Sequence, residues 1–176
     1  SDRDGANLRG GLVEIQAGDG RGIDRGAGGH ITIAAGLGMG VESRGGSGNG
    51  GSIRMTGGNS TDGSGGPVYV SAGSSQNGKG GDISIVSGDV AHAQGMGGKI
   101  SISSADSSSK TGEVVIATGN TDVNDAPSGF ITIQTGSSTR GNSGELMLGT
   151  GSAMRAGYTY IHGGTSTDAK GGSLHL

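Results

Sequence analysis

The side chains able to do chemistry in this chain are Asp, Glu, His and Ser/Thr hydroxyls scattered among 43 glycines. Calcium is the first chemistry to test, because Gly- and Asp-rich repeats can build oxygen cages. A calcium-binding β-roll needs a repeated G-G-x-G-x-D-x-U-x, and only GRGIDRG (Gly20 to Gly26) loosely resembles part of it. Asp19, Asp62, Asp89, Asp106, Asp122 and Asp168 stand at irregular offsets and read as turn aspartates, a setting Asp favours without a metal. The G-x-G strings neither open a helix nor carry a following Lys-Ser/Thr, so they do not build a phosphate cradle. His30, His92, His162 and His175 lack metal-ligand spacing. Glu113 and Glu145 could pair as carboxylates, yet no positioned base or Arg accompanies them, and they read as an exposed acidic row. No Cys nucleophile exists and no Ser lies in a G-x-S-x-G elbow. The expectation is a non-enzyme with no catalytic, cofactor-binding or metal-ligating residues.

Charge and composition exclude further classes. Fifteen acids against twelve Lys and Arg give a net charge of -3 with no basic run, so nucleic acid is not an expected partner. No apolar stretch approaches the ~20 residues of a membrane span, and membrane insertion is not expected. One Phe, three Tyr and no Trp or Cys cannot fill an ordinary globular core. The single sequon Asn59-Ser60-Thr61 falls in a loop and makes Asn59 a candidate glycosylation acceptor.

Order must come from repetition. Eleven copies of one motif run through the chain: GGLVEIQAG, GGHITIAAG, GGSIRMTGG, GGPVYVSAG, GGDISIVSG, GGKISISSA, TGEVVIATG, SGFITIQTG, SGELMLGTG, AGYTYIHGG and GGSLHL. Their first large positions, from Val13 to Leu174, are spaced by 13 to 22 residues. Of 22 paired positions, 20 are Val, Ile or Leu; Met55 and Thr159 are the exceptions. The pair is separated by one residue, the period of a half-buried strand. Two residues before it stands Gly, and two residues beyond it a small residue, from Ala17 to Gly163. The row on that face therefore reads Gly, large, large, small. Its glycines are expected to permit close backbone approach and positive φ where the chain turns. Linkers such as GNSTDGS, GSSQNGK and GNTDVNDAP are built from turn residues.

Short strands that cannot bury their faces alone predict an all-β, parallel β-solenoid of about eleven strands across residues 1–176. One repeat per turn and two repeats per turn are both conceivable. Uniform strands joined by variable linkers favour two facing sheets, with two repeats, about 31 residues, per turn. The outward residues differ on alternate copies: Tyr69, Phe130, Tyr158 and Tyr160, every aromatic in the chain, fall on even copies, and Glu14, Asp82, Glu113 and Glu145 on odd ones. The aromatics form the candidate contact face. Ice binding would need a regular Thr array, and the central outward positions are irregular, from Glu14 and Thr32 to Tyr160 and His175. With no initiator Met, and Leu176 inside the motif, the chain is expected to be a segment of a longer repetitive protein.

The G-G-x-[IV]-x-[IV]-x-x-G copies with Ser/Thr/Gly linkers resemble long Gly/Ser-rich repeat proteins secreted by diatoms and related algae, some of them surface or adhesive proteins. GGHITIAAG also resembles the repeat of filamentous haemagglutinin-type adhesins, which form right-handed parallel β-helices. These resemblances imply an extracellular or cell-surface location and a non-enzymatic structural or adhesive role, as a rigid rod, surface layer or filament. The expected partners are other copies or other surface and matrix proteins. A module that binds carbohydrate or ice through one outer face is the alternative expectation.

Overall fold

Each of the first ten repeats contributes a seven-residue arm that starts on the Gly and ends on the small residue, such as 66–72 and 81–87. A computed structural model describes residues 10–22, 26–40, 48–91, 95–122, 126–167 and 170–175. It divides the chain into two units, Ser1–Val86 and Ser87–Leu176.

The expected β-solenoid is not formed. Neither helix nor strand occurs among the described residues, and so no sheet, facing pair of sheets or solenoid turn exists there. A strand requires a neighbour ~4.8 Å away whose carbonyls and amides it can engage. Here the six backbone–backbone hydrogen bonds outside regular elements each join the two ends of a loop. Two aliphatic residues per repeat bury too little apolar surface to offset the ordering of Gly- and Ser-rich linkers within one chain.

The surface area measures how open the result is. A folded protein of 16.9 kDa exposes roughly 7,700 Å², and its unfolded chain roughly 24,500 Å². This chain exposes 18438 Å² and has no buried residue among those described.

Within an arm, the period-two pattern survives as a difference in exposure. Val68, Tyr69 and Val70 are 54%, 87% and 66% exposed, so the outward Tyr stands clear of both flanking aliphatics. Leu146, Met147 and Leu148 follow the same order. The aliphatic row is thus the more sheltered side of a chain that leaves both sides open.

A close approach recurs at the neck that closes each loop. The small residue ending one arm meets the Gly starting the next: a Cβ placed on Gly29 would lie 3.1 Å from Ala17 Cβ, and one on Gly81 would lie 3.2 Å from Ala72 Cβ. Such contacts are tight enough that a larger residue would push the neck apart. Close approach is therefore what these glycines supply. The expected positive φ is not found, since no neck glycine occupies the left-handed region.

The necks fall into two widths. In the tight class the arm is entered through two glycines, and a backbone hydrogen bond closes the loop: Gly29, Gly51, Gly66, Gly81, Gly98 and Gly172 donate to the carbonyls of Gly18, Gly36, Gly58, Gly73, Gly88 and Gly164 at 2.8–2.9 Å. The small residues there are Ala17, Ala35, Gly57, Ala72, Ser87 and Gly163. In the wide class Thr111, Ser128, Ser143 or Ala156 precedes the entry Gly, and the small residues are Ser104, Thr118, Thr135 and Thr150. A Cβ on the entry Gly would lie 3.4–3.9 Å from those side chains, at Gly112, Gly129, Gly144 and Gly157. At Thr118, Thr135 and Thr150 the methyl takes up that space, while the neck at Ser104, which has no methyl, shares only the single-Gly entry. The wider opening takes the backbone groups out of hydrogen-bond range.

The loops also have internal order. In loops 58–65, 73–80 and 136–143, Ser60, Ser75 and Ser138 each accept, through Oγ, a hydrogen bond from the amide three residues on, at Gly63, Gly78 and Gly141, over 2.8–2.9 Å. These are Ser turns, in which a hydroxyl replaces a backbone carbonyl. In loop 88–97, Val90 is the least exposed large hydrophobic residue because its side chain covers Gly95.

Candidate functional site

The four aromatics of the candidate contact face are all strongly exposed. Tyr158 and Tyr160, two residues apart on one arm, project to the same side with ring centroids 6.0 Å apart and planes tilted by 56°. Offset or tilted aromatic pairs at this separation are attractive, and they present a joint apolar surface with two hydroxyls. The structure brings these two rings together. Phe130 lies on another arm of the same unit, and Tyr69 belongs to the other unit.

Asn59 is exposed and follows Gly58, the acceptor of a tight neck. The sequon's Ser60 accepts the hydrogen bond from Gly63, and Thr61 Oγ1 donates to Asp62 Oδ2 at 3.2 Å. The sequon therefore occupies a Ser turn with its Asn outside the hydroxyl-to-amide closure.

The polar residues weighed for chemistry remain separate. Groups of three or more His, Asp or Glu able to hold a metal are not found among the described residues. Asp19 pairs with Arg21 at 3.1 Å and Asp82 with Lys79 at 2.8 Å, both fully solvated pairs of the kind that contribute little. His162 lies beside its own neck, its Nδ1 3.3 Å from the Gly163 carbonyl, where the Nδ1–H tautomer donates. His92, Asp168 and the centre of GRGIDRG (residues 23–25) lie outside the described residues.

The other large feature is the aliphatic row itself. Its first positions Ile31, Ile53, Ile83, Ile100 and Val114 are about half covered and the second positions of those arms are more exposed, whereas in the first arm Val13 is more exposed than Ile15. The polypeptide edges of the arms carry backbone amides and carbonyls without ladder partners among the described residues. Apolar side chains and open backbone lie side by side along these arms, and unpaired strand-like edges of this kind are open to further β-pairing.

Two features of this surface escape a reading of the motif alone. The pairing of small residue with next-copy Gly is written in the sequence as a correlation: a double-Gly entry accompanies Ala, Gly or Ser, and a single-Gly entry accompanies Thr or Ser. The Ser turns are written as S-x-x-G at the third position of the eight-residue loops. Comparison with known protein families, curated proteins and solved structures gives no match.

Proposed function

We propose that this chain is a non-enzymatic extracellular structural or adhesive repeat protein, whose copies associate with one another or with surface and matrix proteins into filaments or layers. The observation that carries this reading is the row of partly covered aliphatic pairs, repeated along a chain with no buried residue among those described. Exposed apolar surface repeated in this way marks a surface for interaction with another molecule. The acids and bases among the described residues are scattered and exposed, an arrangement that suits a protein whose role lies in its length and contacts.

Negative-stain electron microscopy of the purified chain across a concentration series tests the proposal. Filaments, sheets or layers above a threshold concentration support it. Isolated particles at every concentration, with no adhesion to surfaces, overturn it. The Tyr158–Tyr160 pair favours one second reading, a module that holds carbohydrate against stacked aromatic faces on an outer surface. Glycan-array binding lost on replacing both tyrosines with Ser would establish that reading, and binding that persists would eliminate it.

A further inference from the structure

We propose that the partner of the aliphatic row is a second copy of this chain, stacked parallel and in register, so that each arm pairs with the same arm of its neighbour. This rests on the self-associating reading above and specifies its geometry.

Three observations select this occupant. The first is the surface excess: 18438 Å² is roughly 10,700 Å² more than a folded chain of this mass exposes, several times the ~1,600 Å² of a standard interface. A contact with a second chain would have to run along much of the length to cover that much.

The second is spacing. The arms recur at irregular intervals of 13 to 22 residues, and the loops between them differ correspondingly in length. A shift by one repeat would set unequal loops against each other and break the match at successive arms. A second copy at zero shift matches every interval.

Neck width supplies the third observation. Tight necks occupy the first five loops, wide necks the next four, and a tight neck the last, at Gly163–Gly172. In-register stacking lays tight on tight and wide on wide, so that arm ends of equal width coincide. A shift by one repeat sets the wide neck at Thr150 on the closed neck at Gly163–Gly172 and the wide neck at Ser104 on the closed one at Ser87.

The outward side chains permit such columns. Among the three outward positions of each arm, charge appears only at Glu14, Arg54, Asp82, Lys99, Glu113 and Glu145, with Asp82 already paired to Lys79. The remaining positions are mainly Ser, Thr, Gln, Ala, Tyr and aliphatic residues, which tolerate stacking on themselves. Pro67 is the first residue after an entry Gly, where a missing amide costs a strand least. Arms stacked at ~4.8 Å would satisfy their backbone groups between chains. The single chain leaves these groups without a ladder.

The chain contains no Cys, so one spin label can be placed at will. Ser84→Cys, at the outward centre of arm 81–87, and Ser101→Cys, at the centre of arm 98–104, would each be labelled and assembled. In-register stacking holds identical labels ~4.8 Å apart, and the expected spectrum is a single exchange-narrowed line that returns to three lines on dilution with unlabelled chain. A three-line spectrum from undiluted assemblies at both sites overturns the register while leaving self-association standing. Failure to sediment or form particles at any concentration overturns both. β-structure that is fully present in dilute monomers also overturns the inference, because the pairing would then lie within one chain.

Discussion

Replacing Ile83 and Ile85 with Ser removes the aliphatic pair from one arm and leaves its flanking glycines and loops intact. The two side chains are 54% and 68% exposed in the single chain. Fully burying an aliphatic side chain contributes ~1.5–3 kcal/mol, so covering these remaining fractions contributes about 0.8–1.6 and 1.0–2.0 kcal/mol. Their combined loss, about 1.8–3.6 kcal/mol, corresponds to a ~20- to 400-fold rise in the concentration at which assembly begins. Sedimentation of a dilution series reads this threshold directly. Asp82→Ser with Ser84→Ala, on the outward side of the same arm, provides the control and is expected to stay within a few-fold of the unaltered chain. A threshold for Ile83→Ser/Ile85→Ser within threefold of the unaltered chain would refute the claim that the aliphatic row is the associating surface. A control shifted as strongly as the test variant would refute the assignment of sides.

Further outcomes follow from the necks, the loops and the aromatic pair. Gly81→Ala is expected to open its neck, because the new methyl would meet Ala72 Cβ at 3.2 Å and the Gly73 amide nitrogen at 3.3 Å; Gly73→Ala meets nothing within 4 Å and is expected to be neutral. Amide exchange at residue 81 should accelerate in the first variant and not in the second. Converting a wide neck with Thr135→Ala and Ser143→Gly is expected to create a Gly144 amide to Gly136 carbonyl bond, and slowed exchange at Gly144 would report it. Ser75→Ala removes the acceptor of the Gly78 amide; with that amide open to water, the change should cost at most about 1 kcal/mol and appear only as faster exchange at Gly78. Tyr69→Ser with Tyr160→Ser is expected to weaken lateral association or surface binding, measured by adhesion to coated surfaces, and unchanged adhesion would remove the aromatics from the contact role.

How much of this was readable from the letters depends on where each feature's partner lies. Alternation is local: Val68-Tyr69-Val70 declares its two sides through residues two apart, and the structure's exposures follow that order. A strand is not local, because it exists only when another segment supplies its hydrogen bonds, and the same letters are compatible with an unpaired arm. That is why the solenoid expectation failed while the period that suggested it persisted. The necks are intermediate. Each joins residues 7 to 16 apart, as with Ala17 and Gly29; the Gly and the small residue are each visible in the motif, but their contact across copies is not. Its two widths became evident only once the hydrogen bonds separated double-Gly entries from Thr-ended arms. Among the aromatics, only Tyr158 and Tyr160 could be known to meet, because two-residue spacing alone brings them together; Tyr69 and Phe130 depend on longer-range placement.

The necks also explain how a chain with such variable loops can keep uniform arms. A Gly-to-Gly hydrogen bond or a Gly-to-Thr contact closes each loop at its base, so differences beyond the base need not propagate into the arm. Loops 58–65 and 73–80 share a Ser turn and differ in their other side chains, yet both close at 2.8–2.9 Å through the same pair of backbone groups. Loop 36–50 is nearly twice as long and closes in the same way, with Gly51 donating to Gly36. Length can therefore vary without altering the chemical pattern that an arm offers. What does vary from arm to arm is the width of its closed end, and that width follows the entry, tight after two glycines and wide after one. A surface built from arms of one kind would adhere to itself at any offset. The tight-to-wide order along this chain, together with its irregular spacing, makes one alignment of two copies better than the rest, which is how a sequence of low complexity can still specify a single contact.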